Sequence, residues 1–193
     1  PFIDLIEKRK SGNVVIVVSD ITRPIPYKDF LPDLLNLLEN NKVKKQEIII
    51  LIATGMHRPS TGQERIQMFG EFVVRNYQII DHKCENENDL IELEGYSWSG
   101  SKVKLNRYYV TASFRIIIGL VEPHFMAGFS GGRKSVCPGL VGLDTIKNFH
   151  GYEFLSNPNA SSTIIERNPC HNESTSIAMM CPPDFSINIV LDN

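Results

Sequence analysis

An α/β fold, with a mainly parallel sheet flanked by helices, is what this sequence predicts, and three observations carry the prediction. Continuous β-branched runs recur along the chain, as in strands buried on both faces. Stretches with apolar residues at helical spacing alternate with them. Three of the apolar runs end in polar, turn-forming segments of unusual composition. The 193 residues suffice for one domain with a proper core, or at most two small ones.

The elements follow in order. Residues 13–18 (Asn-Val-Val-Ile-Val-Val) form the first predicted strand. Phe30, Leu34, Leu35, Leu37 and Leu38 then fall at helical spacing, with Pro32 placed in a first turn, where its missing N–H is tolerated. Residues 47–52 predict a second buried strand, and 60–69 a helix with Ser60 or Thr61 as N-cap. Short or mixed strands are predicted at 77–80, 103–110, 114–120 and 187–191. Residues 85–100, acidic and then Ser/Gly-rich, read as a connection or excursion.

Composition excludes several classes of function. Hydrophobic residues make up 42% and charged residues 22%, as in ordinary globular proteins, and a net charge of -2 gives no support to nucleic-acid or membrane-surface binding. No apolar run approaches membrane-spanning length, and the opening residues 1–5 do not resemble a signal peptide. The four cysteines form no Cys-x-x-Cys pair, so free thiols in a reducing cytoplasm are expected. Cys137 reads as a small buried filler.

The chemistry gathers at three strand ends. The first carries Ser19-Asp20-Ile21-Thr22-Arg23-Pro24, the second Thr54-Gly55-Met56-His57-Arg58-Pro59, the third Pro123-His124 followed by a loop with Gly128, Gly131, Gly132, Arg133 and Lys134. Taken singly, Asp20 and Arg23 fit a turn-closing surface pair, and His57 and His124 fit loop histidines. Ligands of open α/β sheets bind beyond the carboxyl ends of the strands, so parallel neighbours would bring all of them to one crevice. A glycine-rich loop also lets the backbone approach a ligand closely, and its cationic end suits an anion. The stretch from Gly128 to Ser135 approaches a phosphate loop, but Arg133 occupies the second glycine position, and Pro138 and Gly139 compromise the helix that should follow. A nucleotide-triphosphatase reading is therefore rejected.

At these residues the sequence resembles the N-terminal domain of the lactate racemase family, two-domain enzymes with a Rossmann-like first domain. The resemblance rests on Ser19-Asp-x-Thr-Arg-Pro24, on Thr54-Gly-x-His-Arg-Pro59, and on Pro123-His-x-x-Ala-Gly-Phe-Ser-Gly-Gly-Arg-Lys134 with Pro138-Gly139 and Asn148-Phe-His150. It implies a racemase or epimerase of lactate or a related 2-hydroxy acid that uses a nickel-pincer nucleotide. Lys134 would attach the cofactor covalently and His150 would be the protein's nickel ligand. Asp20, Ile21, Thr22 and Arg23 would line the cofactor, with Arg23 also holding the substrate carboxylate. Ser130, Gly131 and Gly132 would approach the cofactor or its phosphate. His57 and His124 would be the acid/base pair, and proteins of cofactor synthesis would be partners. His82 is expected at the surface, and His171 as structural.

Residues 1–193 would then form the cofactor-binding catalytic domain, with a C-terminal domain absent, and the chain alone is expected to show little or no racemase activity. The competing reading from the residues is a nucleotide- or anion-binding module without racemase chemistry. The presence of both His57 and His124 favours the racemase.

Overall fold

A computed structural model describes residues 2–192, so the Pro1 and Asn193 noted in the sequence lie outside the described residues. A short helix, α1 (Phe2–Glu7), precedes strand β1 (Val14–Ser19). Helix α2 (Tyr27–Asn40) leads to β2 (Ile48–Ala53), and α3 (Gly62–Asn76) to β3 (Gln78–Asp81). Two short strands, β4 (Leu90–Glu92) and β5 (Lys104–Asn106), come before the one-turn helix α4 (Arg107–Val110). Strand β6 (Phe114–Leu120) is followed by a two-residue pairing of β7 (Pro123–His124) with β8 (Gly128–Phe129). Helices α5 (Leu143–Phe149), α6 (Tyr152–Leu155) and α7 (Pro169–Met180) then lead to β9 (Phe185–Ile189).

The main sheet has the order β3-β2-β1-β6-β9, and every neighbouring pair is parallel. The central strand β1 places Ile16 beside Ile50 on one side and Ile116 on the other. Alternate residues feed two cores. Val14, Ile16 and Val18 pack with Leu31, Leu35 and Leu38 of α2 and with Phe69 and Val73 of α3. Val15 and Val17 pack on the opposite face with Tyr109, Phe149 and Ile177. Burial on both faces is why the strand sequences are unbroken β-branched runs instead of alternating ones.

Several expectations need correction. The stretch 103–110 is not one strand: Asn106 ends β5, and its side chain accepts from the Tyr108 N–H, capping α4. Strand β5 pairs antiparallel with β4 in a separate two-stranded sheet, so the 85–100 excursion carries a strand of its own. Helix α2 starts at Tyr27, which puts Pro32 past the first turn. The cap of α3 is Thr61, one of the two residues expected, whose hydroxyl accepts from the Glu64 N–H, while the Ser60 N–H goes to Asp81. That helix also runs past residue 69, through a kink at Gly70 (φ 81°), to Asn76. The last strand lies two residues earlier than expected, with half-buried and exposed residues alternating at the sheet edge.

His82 is not at the surface. It is buried, donates from Nε2 to the Val141 carbonyl at 2.9 Å and accepts at Nδ1 from Asn106 at 3.1 Å. Burial lowers its pKa and keeps the imidazole neutral. All four cysteines are free, as expected, and all are buried, Cys137 as anticipated among them. No helix among the described residues is long and apolar enough to cross a membrane.

Candidate functional site

Because β2, β1 and β6 are adjacent and parallel, their carboxyl ends meet, and the three polar segments come together there. They surround a cavity of about 660 Å³. Asp20, Thr22 and Arg23 line it from the end of β1, and Gly55, Met56 and His57 from the end of β2. His124, Ser130, Gly131 and Lys134 come from the segment after β6, and His150 from the end of α5.

The β1 turn is organised by Asp20, which is buried. One carboxylate oxygen accepts from the Thr22 N–H at 3.1 Å and from the Thr22 hydroxyl at 2.5 Å. The other lies 2.5 Å from Nδ1 of His57. Ile21 packs against the core formed with α2 and α3 and is not among the lining residues. The side chain of Arg23 forms an ion pair with Glu122 through Nη1.

The glycine loop is held by its own hydroxyl and by the edge strand. Ser130 Oγ donates to the Leu120 carbonyl at 2.6 Å and accepts from the Glu122 N–H at 3.0 Å. The Gly132 N–H donates to Asn188 Oδ1 of β9 at 2.9 Å, and Gly132 is not among the lining residues. Gly131 has φ 75°, where a side chain is strained, and lies flush on Gly119: a Cβ at Gly119 would sit 2.8 Å from the Gly131 Cα. A 3₁₀ turn over Gly132–Ser135 then presents Lys134 to the cavity.

The two cations of this loop have different fates. Arg133 donates from Nη2 to the carbonyls of Ala127 and Phe129 and from Nε to Ser174 of α7, so it fixes the loop to the fold. The Lys134 ammonium makes no hydrogen bond or ion pair with the described residues. Burial, together with the charges of Arg23 and Arg133, lowers its pKa to about 8. The free amine, the nucleophilic form, thus comes within about one pH unit of neutrality.

Each cavity histidine has its tautomer set by what touches Nδ1. His57 meets a carboxylate there, so Nδ1 carries a hydrogen, and in the neutral ring Nε2 keeps the lone pair. His150 donates from Nδ1 to the Ile146 carbonyl at 2.9 Å, which again leaves Nε2 open, the form that coordinates metals. His124 is opposite. Its Nδ1 accepts from the N–H groups of Met126 and Ala127, both at 3.3 Å, so the hydrogen sits on Nε2. Desolvation, then the positive charge of Lys134, Arg23, His150 and Arg133, lowers the His124 pKa to about 4. Its ring stacks on Phe125 with centroids 4.7 Å apart.

Glu122 and Asn188 escaped the sequence reading. Neither carries a motif, and each acts by positioning a residue that does. No group of three or more His, Cys, Asp or Glu able to hold a metal ion is found among the described residues.

Comparisons with known proteins agree with this architecture. A family model described as the lactate racemase N-terminal domain matches residues 1–163. A lactate racemase of Thermoanaerobacterium thermosaccharolyticum is 42% identical over 190 residues, which cover 98% of this chain and 44% of the relative. One of Lactiplantibacillus plantarum is 38% identical over 184 residues, covering 95% and 43%. The solved lactate racemase apoprotein of T. thermosaccharolyticum superposes with a TM-score of 0.91 at 40% identity, covering 98% of this chain and 44% of that one. A Thermotoga maritima protein shares the fold, with a TM-score of 0.79 at 21% identity, over 99% of this chain and 50% of that one. The chain thus spans less than half the length of the curated relatives it matches. It belongs to the lactate racemase family, in the region of that family's N-terminal domain.

Proposed function

We propose that this chain is the cofactor-bearing part of a 2-hydroxy-acid racemase that uses a nickel-pincer nucleotide. The observation that carries the reading is the unpaired Lys134 amine, lowered to about 8, in one cavity with three histidines of fixed tautomer. The residues fit the cofactor. Attachment through a thioamide needs a neutral amine, which Lys134 provides. One imidazole with an open Nε2, and no cluster of protein ligands around it, suits a metal whose other donors come from the cofactor. Glycine backbone at Gly131 leaves room for close approach.

When bound, the cofactor supplies an acceptor for the hydrogen on the substrate's α-carbon, taken as hydride. The protein's residues do the rest. Arg23 holds the carboxylate. His57 receives the hydroxyl proton at Nε2, and Asp20 steadies the imidazolium that forms. The 2-keto acid can turn towards His124, whose Nε2–H donates a hydrogen bond to the keto oxygen, and the proton held on His57 is the one that restores the hydroxyl. Asp20, Thr22, Ser130 and Gly131 wall the cofactor's place, while Ile21 and Gly132 support that wall from behind. The region that the longer relatives carry beyond this match would close the site, so residues 1–193 alone turn over little substrate.

The test is co-expression with the cofactor-synthesis proteins, followed by intact-mass and peptide mass spectrometry and a nickel assay. An adduct mapped to Lys134 with one nickel per chain is expected, and Lys134→Ala loses it. An unmodified Lys134 with phosphate binding alone would return the chain to the class of anion-binding modules.

A further inference from the structure

Glu122 lies outside every motif, yet it alone among the described residues pairs with the Arg23 side chain. Both groups are about one-third exposed, 35% and 37%, and an ion pair of that exposure contributes little to stability. Its consequence is geometric. The Glu122 backbone is clamped at both ends of its peptide: its N–H donates to Ser130 Oγ at 3.0 Å, and its carbonyl accepts from the Ser130 N–H at 2.9 Å. The carboxylate is therefore carried on a fixed base two residues before His124. Arg23 lines the cavity and Glu122 does not, so the pair holds the guanidinium from behind.

A guanidinium can grip a carboxylate with two parallel N–H groups along either of two edges, the end-on edge of Nη1 and Nη2 or the side-on edge of Nε and Nη2. Glu122 occupies Nη1. Nε and Nη2 make no hydrogen bond with the described residues. We propose that Glu122 is a positioning residue that withdraws the end-on edge of Arg23 and presents the side-on edge to a carboxylate in the cavity. The inference rests on the functional reading above for the identity of that carboxylate, and on geometry for the edge.

Nitrogen-resolved NMR of the Arg23 side chain, assigned by its loss in Arg23→Lys, tests both parts with acetate and lactate as probes. In the unsubstituted protein, separate Nη1 and Nη2 signals are expected, and acetate shifts Nε–H and Nη2–H while leaving Nη1–H in place. In Glu122→Gln the guanidinium turns freely, the Nη signals merge, and the shifts spread over all three nitrogens. Merged Nη signals before substitution, a shift confined to Nη1, or no response to acetate each overturn the proposal. A response to acetate without one to lactate leaves the edge assignment standing and counts against the 2-hydroxy-acid reading. In the cofactor-loaded chain joined to the further region its longer relatives carry, Glu122→Gln lowers kcat about three- to fivefold with no rise in KM, the size of one partly exposed charged contact. Glu122→Asp, which keeps the carboxylate, recovers part of that loss. Equal kcat in all three proteins would also overturn it.

Discussion

His57 and His124 face one cavity from opposite surroundings. His57 stands at the end of β2 with its side chain 61% exposed and a buried carboxylate at its back. His124 is half-buried in the glycine segment, with backbone N–H groups on its Nδ1 and cations around it. One residue type is thus delivered in two states, a hydrogen-bond acceptor facing the cavity in the first and a donor in the second. The difference comes entirely from the atom touching Nδ1. Under the proposed function, a site that treats two mirror-image substrates alike is, at rest, chemically lopsided.

The strongest way to break this comparison is to remove each ring. In the cofactor-loaded chain joined to the further region its longer relatives carry, His57→Asn and His124→Asn should each lower kcat by about 10²- to 10⁴-fold, the usual worth of a positioned acid or base. Racemisation assayed from each enantiomer checks it. A variant that keeps near-normal turnover from both enantiomers removes that histidine from the pair.

Titration sharpens the contrast. Imidazole NMR should find His124 uncharged down to a pH of about 4, against an ordinary 6.5. Amine-selective labelling of Lys134 should show a midpoint of about 8, against 10.5. Both groups bind protons more weakly in the folded chain, so the unfolded chain holds the extra protons between each pair of values. Stability therefore rises with pH from about 4 to 6.5 through His124 and from about 8 to 10.5 through Lys134. Urea midpoints across those windows measure it. Flat midpoints that His124→Gln and Lys134→Met leave unchanged would contradict the cationic pocket.

The smallest effect concerns the wall beneath one histidine. In Gly119→Ala the new methyl meets the Gly131 Cα at 2.8 Å, which should cost about 1–3 kcal/mol in a thermal melt. The disturbance should also shift the His124 ring signals and leave those of His57, which hang on a different strand end. Equal shifts at both would show that the two halves of the site are not independently supported.

Much of this was legible in the chain itself. Apolar, largely β-branched runs at 14–18, 48–52 and 116–118 announce a sheet covered on both faces, and their polar ends point to the candidate site. The helices after the glycine loop were illegible for physical reasons. In α7 the buried side includes Glu173 and Ser174, whose polar atoms are satisfied by Ser99 and by the Cys170 carbonyl, so no apolar stripe marks it. The Asp20–His57 contact joins residues on different strands, and no local pattern encodes it. Arg133 reads as a ligand cation in sequence because its real partners, the carbonyls of Ala127 and Phe129, are backbone atoms without identity.

The parallel sheet also sets an order of events in the life of the molecule. Strand β1 pairs early with β2 but finds its second neighbour only at β6, with Val14 opposite Phe114, and β6 in turn pairs with β9. Parallel partners so far apart in sequence close slowly, because a long loop must be ordered before the pairing rewards it. The residues that would hold a cofactor, from Asp20 to His150, are therefore scattered points on an unfinished chain until nearly all of it has been made and has collapsed. Under the proposed function, loading would belong to the finished fold, and a maturation protein that delivers a cofactor would meet a completed cradle instead of a nascent strand.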